Sequence, residues 1–189
     1  MKLLRWSQVG LWTVAICLLG YCAFVLADTW NFQRQASRSF DRQLQPAAPP
    51  SPGADSTGGL LGRMEIPRLG LTMLVAEGTD ETTLRRAGGH IRGTALPGQP
   101  GNVGIAGHRD TLFRPLRNVR QNDLILLTTL QGEYRYRVIT TQIVSPSDVS
   151  VLSSDDRQVL TLVTCYPFYF VGPAPGRFIV RAKRIAGTT

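Results

Sequence analysis

Three side chains in this 189-residue sequence have types and settings suited to covalent chemistry. Cys165 closes the run Thr161-Leu162-Val163-Thr164-Cys165 and is followed by Tyr166 and Pro167. A β-type run that ends on a cysteine, with a proline to stop it, presents a thiol at the rim of a sheet. A thiolate attacks a carbonyl carbon far better than a hydroxyl does, so the chemistry open to Cys165 is nucleophilic acyl transfer. A lone cysteine in a strand is more often plain packing, and that reading stands beside the reactive one. His108 follows Gly107 directly after the apolar stretch Val103-Gly104-Ile105-Ala106. At a strand end beside glycine it is placed to move protons, although a single histidine is commonly a hydrogen-bonded structural residue. Arg177 opens the last apolar stretch, after Gly172-Pro173-Ala174-Pro175-Gly176. A planar guanidinium there can hydrogen-bond an oxyanion, whereas most basic side chains of a domain are simply solvated. The second histidine, His90 in Gly89-His90-Ile91, is either a loop residue held by its own turn or an auxiliary group near Cys165.

The elements that must position these groups are mostly strands. Residues 63–66 and 69–75 alternate or run apolar around Pro67 and Gly70. Thr79-Asp80-Glu81-Thr82 starts a short helical turn, which Gly88-Gly89 is expected to end. Residues 102–106 form a short strand bounded by glycines, and 111–119 a turn or short helix broken at Pro115. Residues 124–130 and 134–144 are strongly strand-like, with Gln131-Gly132-Glu133 as a hairpin signal between them. A helical turn is expected at 148–152, and strands at 158–164 and 177–184 joined by the loop 166–176. About eight short strands in about 127 residues predict an all-β domain with short helices, closed as a barrel or stacked as a sandwich.

A different kind of sequence precedes this domain. Residues 8–27 hold no charge, and a helix over 9–27 is about 28 Å long, close to the ~30 Å hydrocarbon core of a bilayer. Lys2 and Arg5 favour a cytoplasmic N-terminus for residues 1–7, which puts everything after the anchor on the extracytoplasmic side. Val25-Leu26-Ala27 also offers a signal-peptide cleavage site, so a cleaved leader is the alternative. Cys17 and Cys22 lie five apart on one helix and cannot pair. They read as lipid-facing side chains, and the bulky Ile16 and Tyr21 before them argue against lipidation. Residues 28–59 make a juxtamembrane segment, with Trp30 suited to the headgroup region. Its last part, 45–59, has four prolines and three glycines and is expected to be a semi-stiff tether. The folded domain is assigned to 60–189.

Composition excludes several classes. Hydrophobic residues are 43%, enough for a core, which rules out wholesale disorder. Three cysteines cannot form a dense disulfide scaffold, and two histidines leave almost no material for a zinc finger. Glu65, Glu77, Asp80 and Glu81 form an acidic stretch that reads as a solvated helix start, so neither a metal nor a cofactor is expected. The net charge of +8 fits an anionic envelope or membrane surface. Nucleic acid is not an expected partner, since an exported domain rarely meets it and no stacking motif is present.

Taken together, Gly101-Asn102-Val103-Gly104-Ile105-Ala106-Gly107-His108, Thr161-Leu162-Val163-Thr164-Cys165 and Arg177-Phe178-Ile179-Val180 resemble the sortase family in order and spacing. Gly89-His90-Ile91-Arg92-Gly93-Thr94, Leu96-Pro97-Gly98 and the run after Thr164 look most like class D. The resemblance spans residues 63–184; Asn122-Asp123 departs from the Gly-Asp of many members, a change of turn and not of chemistry. It implies an eight-stranded closed β-barrel behind one N-terminal transmembrane helix. The implied activity is that of a cysteine transpeptidase, which cleaves a C-terminal LPxTG-like (LPxTA/LPxTG) sorting signal after Thr. The acyl group then passes to an amine of peptidoglycan or another protein. The implied catalytic residues are Cys165 as nucleophile, His108 as general acid and base, and Arg177 at the oxyanion. His90, Thr164, Tyr166, Phe168 and Phe170 are expected as auxiliary or substrate-binding residues, with the apolar loop 166–171 shielding the acyl-enzyme from water. Two rivals remain. An L,D-transpeptidase type is disfavoured because no histidine lies near Cys165 in sequence, and a tethered barrel that only binds is disfavoured because all three reactive side chains are present.

Overall fold

The computed structural model describes residues 2–44, 59–153, 158–170 and 172–185. All of the expected tether 45–59 but Gly59, and Val171, which closes the apolar loop, lie outside the described residues, as do 154–157 and 186–189. In chain order the elements are helix α1 (Lys2–Leu44), strands β1 (Leu60–Ile66) and β2 (Leu71–Glu77), helix α2 (Glu81–Arg86), and strands β3 (Gly88–His90) and β4 (Asn102–Ala106). Then come β5 (Leu124–Thr129), β6 (Gly132–Val144), β7 (Val159–Tyr166) and β8 (Gly176–Ile185). Short 3-10 turns occupy Pro67–Leu69, Arg114–Asn118 and Ser150–Leu152. The strands close into one barrel in the order β1-β2-β3-β4-β7-β8-β6-β5.

Alternation explains the core. Val103, Ile105, Leu160, Leu162, Val180 and Ala182 point inward from β4, β7 and β8 and meet Met64, Ile66, Met73, Ile125 and Leu127 from the other side. Neighbouring residues on the same strands therefore face outward, because side chains alternate along a strand. Tyr136 is fully buried among the apolar side chains, and burial pushes its phenol up to about 12. The β5–β6 hairpin forms where the Gln131-Gly132 turn signal lies.

Two elements differ from the sequence reading. The turn after Asp80 is helical as expected, and the Asp80 carboxylate accepts from the Thr83 amide at 3.0 Å. Hydrogen bonds from Thr82 and Thr83 hold this carboxyl well below the usual carboxylate range. Gly88-Gly89, however, does not merely end the helix. Gly88–His90 is strand β3, parallel to β2 and antiparallel to β4. The glycine at 88 keeps the strand thin enough to lie between Met73 and Ile105, where a Cβ would meet the Met73 side chain at 2.4 Å. The second difference is at Cys165. Strand β7 does not stop there but runs through Tyr166, because Cys165 and Tyr166 both find partners on β8.

Helix α1 is one continuous element of 43 residues, about 65 Å long at 1.5 Å per residue. Its span Gly10–Arg42 is long and apolar enough to cross a membrane by length and composition. Its second half is docked on the barrel. Ala36 and Phe40 are buried with Leu74, Ala76 and Ala87, and Phe32 and Leu60 pack against the cluster. Gln33 accepts from the Leu74 amide at 3.2 Å and donates to the Arg86 carbonyl. Asp28 receives Arg86 at 3.1 Å, and Asp41 pairs with Arg63.

Candidate active site

The order β4-β7-β8 brings together three sequence segments that are far apart along the chain. Strands β7 and β8 are antiparallel, and their register sets Cys165 directly opposite Arg177. Directly opposed residues project from the same face of a sheet, roughly 5 Å apart at Cβ. Strands β4 and β7 are parallel, with Gly104 level with Thr161 and Ala106 level with Val163. The Gly107 amide donates to the Val163 carbonyl at 3.1 Å, the bond that completes the last pair of this ladder. His108 follows two residues beyond the end of β4, and β4 flanks β7 on the side opposite β8 and Arg177. The three candidates stand in a row across adjacent strand ends, and Cys165 and Arg177 face outward, since Leu162 and Phe178 on their strands point into the core. Cys165 and Arg177 are half-buried and His108 is exposed.

Local chemistry fixes this row. Gly107 lies so close to Phe113 that a Cβ there would meet the ring at 2.7 Å, so only glycine lets the chain turn out of β4 over a buried aromatic. Thr164 points to the other side of β7 from Cys165, as alternation requires, and donates to the Gly107 carbonyl at 2.7 Å. It thus ties the strand of the thiol to the turn of the imidazole. Asn102 accepts from Thr161 at 2.7 Å and donates to the Val151 carbonyl at 3.1 Å, which lays the 3-10 turn Ser150–Leu152 over the outer face. Further along that face Gly104 is covered by Ile91, Thr94 and Leu152. The outer face is therefore closed at one end and open around Ala106, Val163, Cys165 and Arg177, all half-buried.

The auxiliary candidates separate. Tyr166 and Phe168 lie at the end of the barrel with Phe178: the Tyr166 and Phe178 rings stack at 6.3 Å between centroids, and Phe168 meets Phe178 edge-on at 5.3 Å. Phe168 and Phe178 pack against the core. Phe170 is 42% exposed and stands apart from that cluster. His90 is not part of the row. It is buried at the far end of β3, with Nδ1 2.8 Å from a Glu77 carboxylate oxygen. Its Nε2 lies 3.0 Å from the Ala95 carbonyl and 3.1 Å from the Thr94 hydroxyl. Of the acidic stretch, Glu77 is thus engaged by His90 and Asp80 by the start of α2.

One residue escaped the sequence reading. Arg109 follows His108 and is only 7% exposed. Its guanidinium donates to the carbonyls of Pro167 at 3.0 Å, Phe170 at 2.6 Å and Gly172 at 3.3 Å, and it lies 3.4 Å from Asp110. A single buried cation therefore fastens the connection between Cys165 and Arg177 to the turn that carries His108. Nothing in one sequence separates it from the other arginines; only its adjacency to His108 was visible.

The arrangement offers a thiol, an imidazole and a guanidinium at three adjacent strand ends, the set needed for acyl transfer through a thioester. The chain matches the sortase domain family model over residues 64–185. It is 36% identical over 130 residues to sortase D of Bacillus subtilis, covering 68% of this chain and 66% of that protein. It is 33% identical over 110 residues to sortase A of Listeria monocytogenes, covering 56% of this chain and 49% of that protein. Among solved structures, a Clostridium perfringens sortase D5 transpeptidase superposes with a TM-score of 0.70 at 27% identity, covering 82% of this chain and 99% of that one. The chain spans two thirds or less of the length of the two curated relatives.

Proposed function

The chain belongs to the sortase family, and on that premise we propose that it is a membrane-anchored cysteine transpeptidase. The substrate is a protein bearing an LPxTG-like sorting signal, LPxTA or LPxTG, and the acceptor is an amine of the cell envelope or of another protein. The observation that carries this reading is the row His108, Cys165, Arg177 across the ends of β4, β7 and β8.

In this mechanism Cys165 Sγ attacks the threonine carbonyl carbon. The tetrahedral oxyanion accepts hydrogen bonds from Arg177, whose planar fork suits it better than a lysine. His108 protonates the departing amine, the C–N bond breaks, and a thioester remains on Cys165. The incoming amine then attacks the thioester carbonyl, His108 takes its proton, and Cys165 leaves as the thiolate as the new amide forms. Arg109 keeps the connection beside Cys165 in place through its three carbonyls, and Phe170 covers the thioester from water.

The anchor is the apolar part of α1, residues 8–27, with residues 1–7 cytoplasmic and the barrel of residues 60–189 on the extracytoplasmic side. Incubating the full chain with LPxTG and LPxTA peptides, with and without glycine oligomers, tests the activity. Cleavage after Thr and an amine-linked product are expected, both absent in Cys165→Ala. Wild-type cleavage at another bond, or none across the peptide panel, overturns the substrate assignment.

A further inference from the structure

The two ends of the barrel differ, and α1 connects them. At the end that carries His108, Cys165 and Arg177, the helix residues Val25, Leu26 and Trp30 face His108, Asp110 and Leu112 across a cavity of about 490 Å³. At the other end Phe40 is buried and Asp41 pairs with Arg63. Between them Asp28 and Gln33 are bonded to Arg86 and to the Leu74 amide. A continuous helix clamped at so many points fixes which way its apolar half leaves the domain. That half leaves at the end that holds the reactive row.

The same end exposes an unusual surface. Tyr169 is 78% exposed and Phe170 is 42% exposed, at the tip of the β7–β8 connection. Arg117 donates to the Tyr169 hydroxyl at 2.8 Å, and its guanidinium lies 5.7 Å from the ring centroid. Arg114 is exposed in the same 3-10 turn. On the helix, Trp30 is 57% exposed and carries the Arg34 guanidinium 3.3 Å over its ring. The β4–β5 connection joins these parts, since Asp110 and Leu112 face α1 while Arg109 and Arg117 hold the tip. Tyrosine and tryptophan rings settle at the boundary between hydrocarbon and water, and arginines there meet anionic headgroups. Among the described residues the opposite end differs: its tyrosine, Tyr134, is half-buried beneath the Arg184 guanidinium, Leu130 stands exposed beside the hairpin, and Arg135 is paired with Glu133 at 2.7 Å.

We infer that the reactive end of the barrel is a bilayer-docking surface. Helix α1 holds it against the leaflet from which the helix emerges, with Tyr169, Phe170 and Arg117 seated among anionic headgroups. His108, Cys165 and Arg177 then work at the membrane surface and not at the end of a tether. The inference rests on the reading of residues 8–27 as a membrane anchor.

The test uses the full chain reconstituted in vesicles containing anionic lipid, with single indoles as depth probes. All three native tryptophans lie in α1, at Trp6, Trp12 and Trp30, so replacing them with phenylalanine leaves a dark barrel. In that background, Tyr169→Trp is expected to lose about half its emission or more to lipids brominated near the headgroup, and less in vesicles of neutral lipid. Leu130→Trp is expected to keep its emission in both. Arg114→Trp gives a second probe of the docking end if Tyr169→Trp does not fold. A chain retaining only Trp12 reports the anchor, through quenching by lipids brominated deep in the acyl chain. If that indole is quenched while those at 169 and 114 behave like the one at 130, docking is overturned and the anchor stands. If the Trp12 indole is not quenched, the anchor reading fails and takes the docking inference with it.

Discussion

Two histidines in this chain share a preceding glycine and have opposite surroundings. His90 and His108 each follow a glycine at the end of a strand, β3 and β4, and those strands are neighbours in the barrel. His90 is buried, with a carboxylate against one ring nitrogen and a carbonyl and a hydroxyl against the other. It closes the connection between β3 and β4 onto β2 through Glu77, and its hydrogen-bonding capacity is spent. His108 is exposed, its ring makes no hydrogen bond among the described residues, and it stands at the strand end next to that of a half-buried thiol. The comparison teaches that a Gly-His pair at a strand end is a backbone device in both places. Whether the imidazole is free to exchange protons depends on what the neighbouring elements bring to it.

Substitution should separate the two roles. His108→Ala is expected to lower kcat/KM for peptide cleavage by about 10²–10⁴-fold with little change in Tm, the magnitude of one general acid–base group. A drop in Tm with the remaining activity intact would instead place His108 with His90 as a structural residue. Next in size, Arg177→Ala is expected to cost about 10²–10³-fold in kcat, as one lost oxyanion donor does, with Arg177→Lys recovering only part.

Arg109 tests whether positioning differs from chemistry. Arg109→Ala is expected to lose about 10-fold to 10²-fold in kcat/KM, because a connection displaced by about 1 Å can cost that much. The same variant should show faster amide exchange at Phe168, Tyr169 and Phe170, a change that Arg177→Ala should not produce. His90→Ala should act on stability, by about 1–3 kcal/mol in urea unfolding, since it empties a buried site and leaves the half-buried Glu77 carboxylate and the Ala95 carbonyl without their partner. Its cleavage rate, measured well below Tm, is expected to stay close to wild type.

The smallest effect concerns pH. The Asp123 carboxyl is held below its usual range, first by its hydrogen bonds with Arg68, one of them at 2.6 Å. A carboxyl with a lowered folded-state pKa adds stability above the unfolded value, about 3.9, and loses it as pH falls through the folded one. Acid unfolding should therefore steepen below about pH 4, and Asp123→Asn should flatten that limb while leaving the pH dependence of cleavage unchanged. A shift of the cleavage profile in Asp123→Asn would link this ion pair to the active row.

Much of the fold was legible because it is locally encoded. Alternation marked β1, β2, β5, β6 and β8 within a residue or a few of their observed bounds, and Asp80 marked the start of α2. What was missed has a common cause. Strand β3 is three residues with two glycines, so it carries no periodic signal and exists only because β2 and β4 offer it partners. Tyr166 and Phe168, expected to wall the site, are drawn instead into the barrel end by Phe178, a residue ten or more positions further on. The amphipathic half of α1 looked like a segment leading to a tether; its helix continues to Leu44 because Ala36 and Phe40 find an apolar surface on β2 and at Ala87, just after α2.

By itself, the sequence determined which groups are available and where each stands on its own segment: a thiol at the end of one β run, an imidazole after glycine, a guanidinium opening the last strand, and an apolar helix of membrane length. Those features depend on residue type and short-range periodicity, which any stretch of chain expresses alone. The tertiary structure decided that β4, β7 and β8 are neighbours, with position 165 in register with 177 and position 108 at the adjoining strand end, that His90 is buried and bonded, and that α1 joins the reactive end. Strand order and docking are settled by burial summed over contacts far apart in the chain, and no local pattern contains that sum.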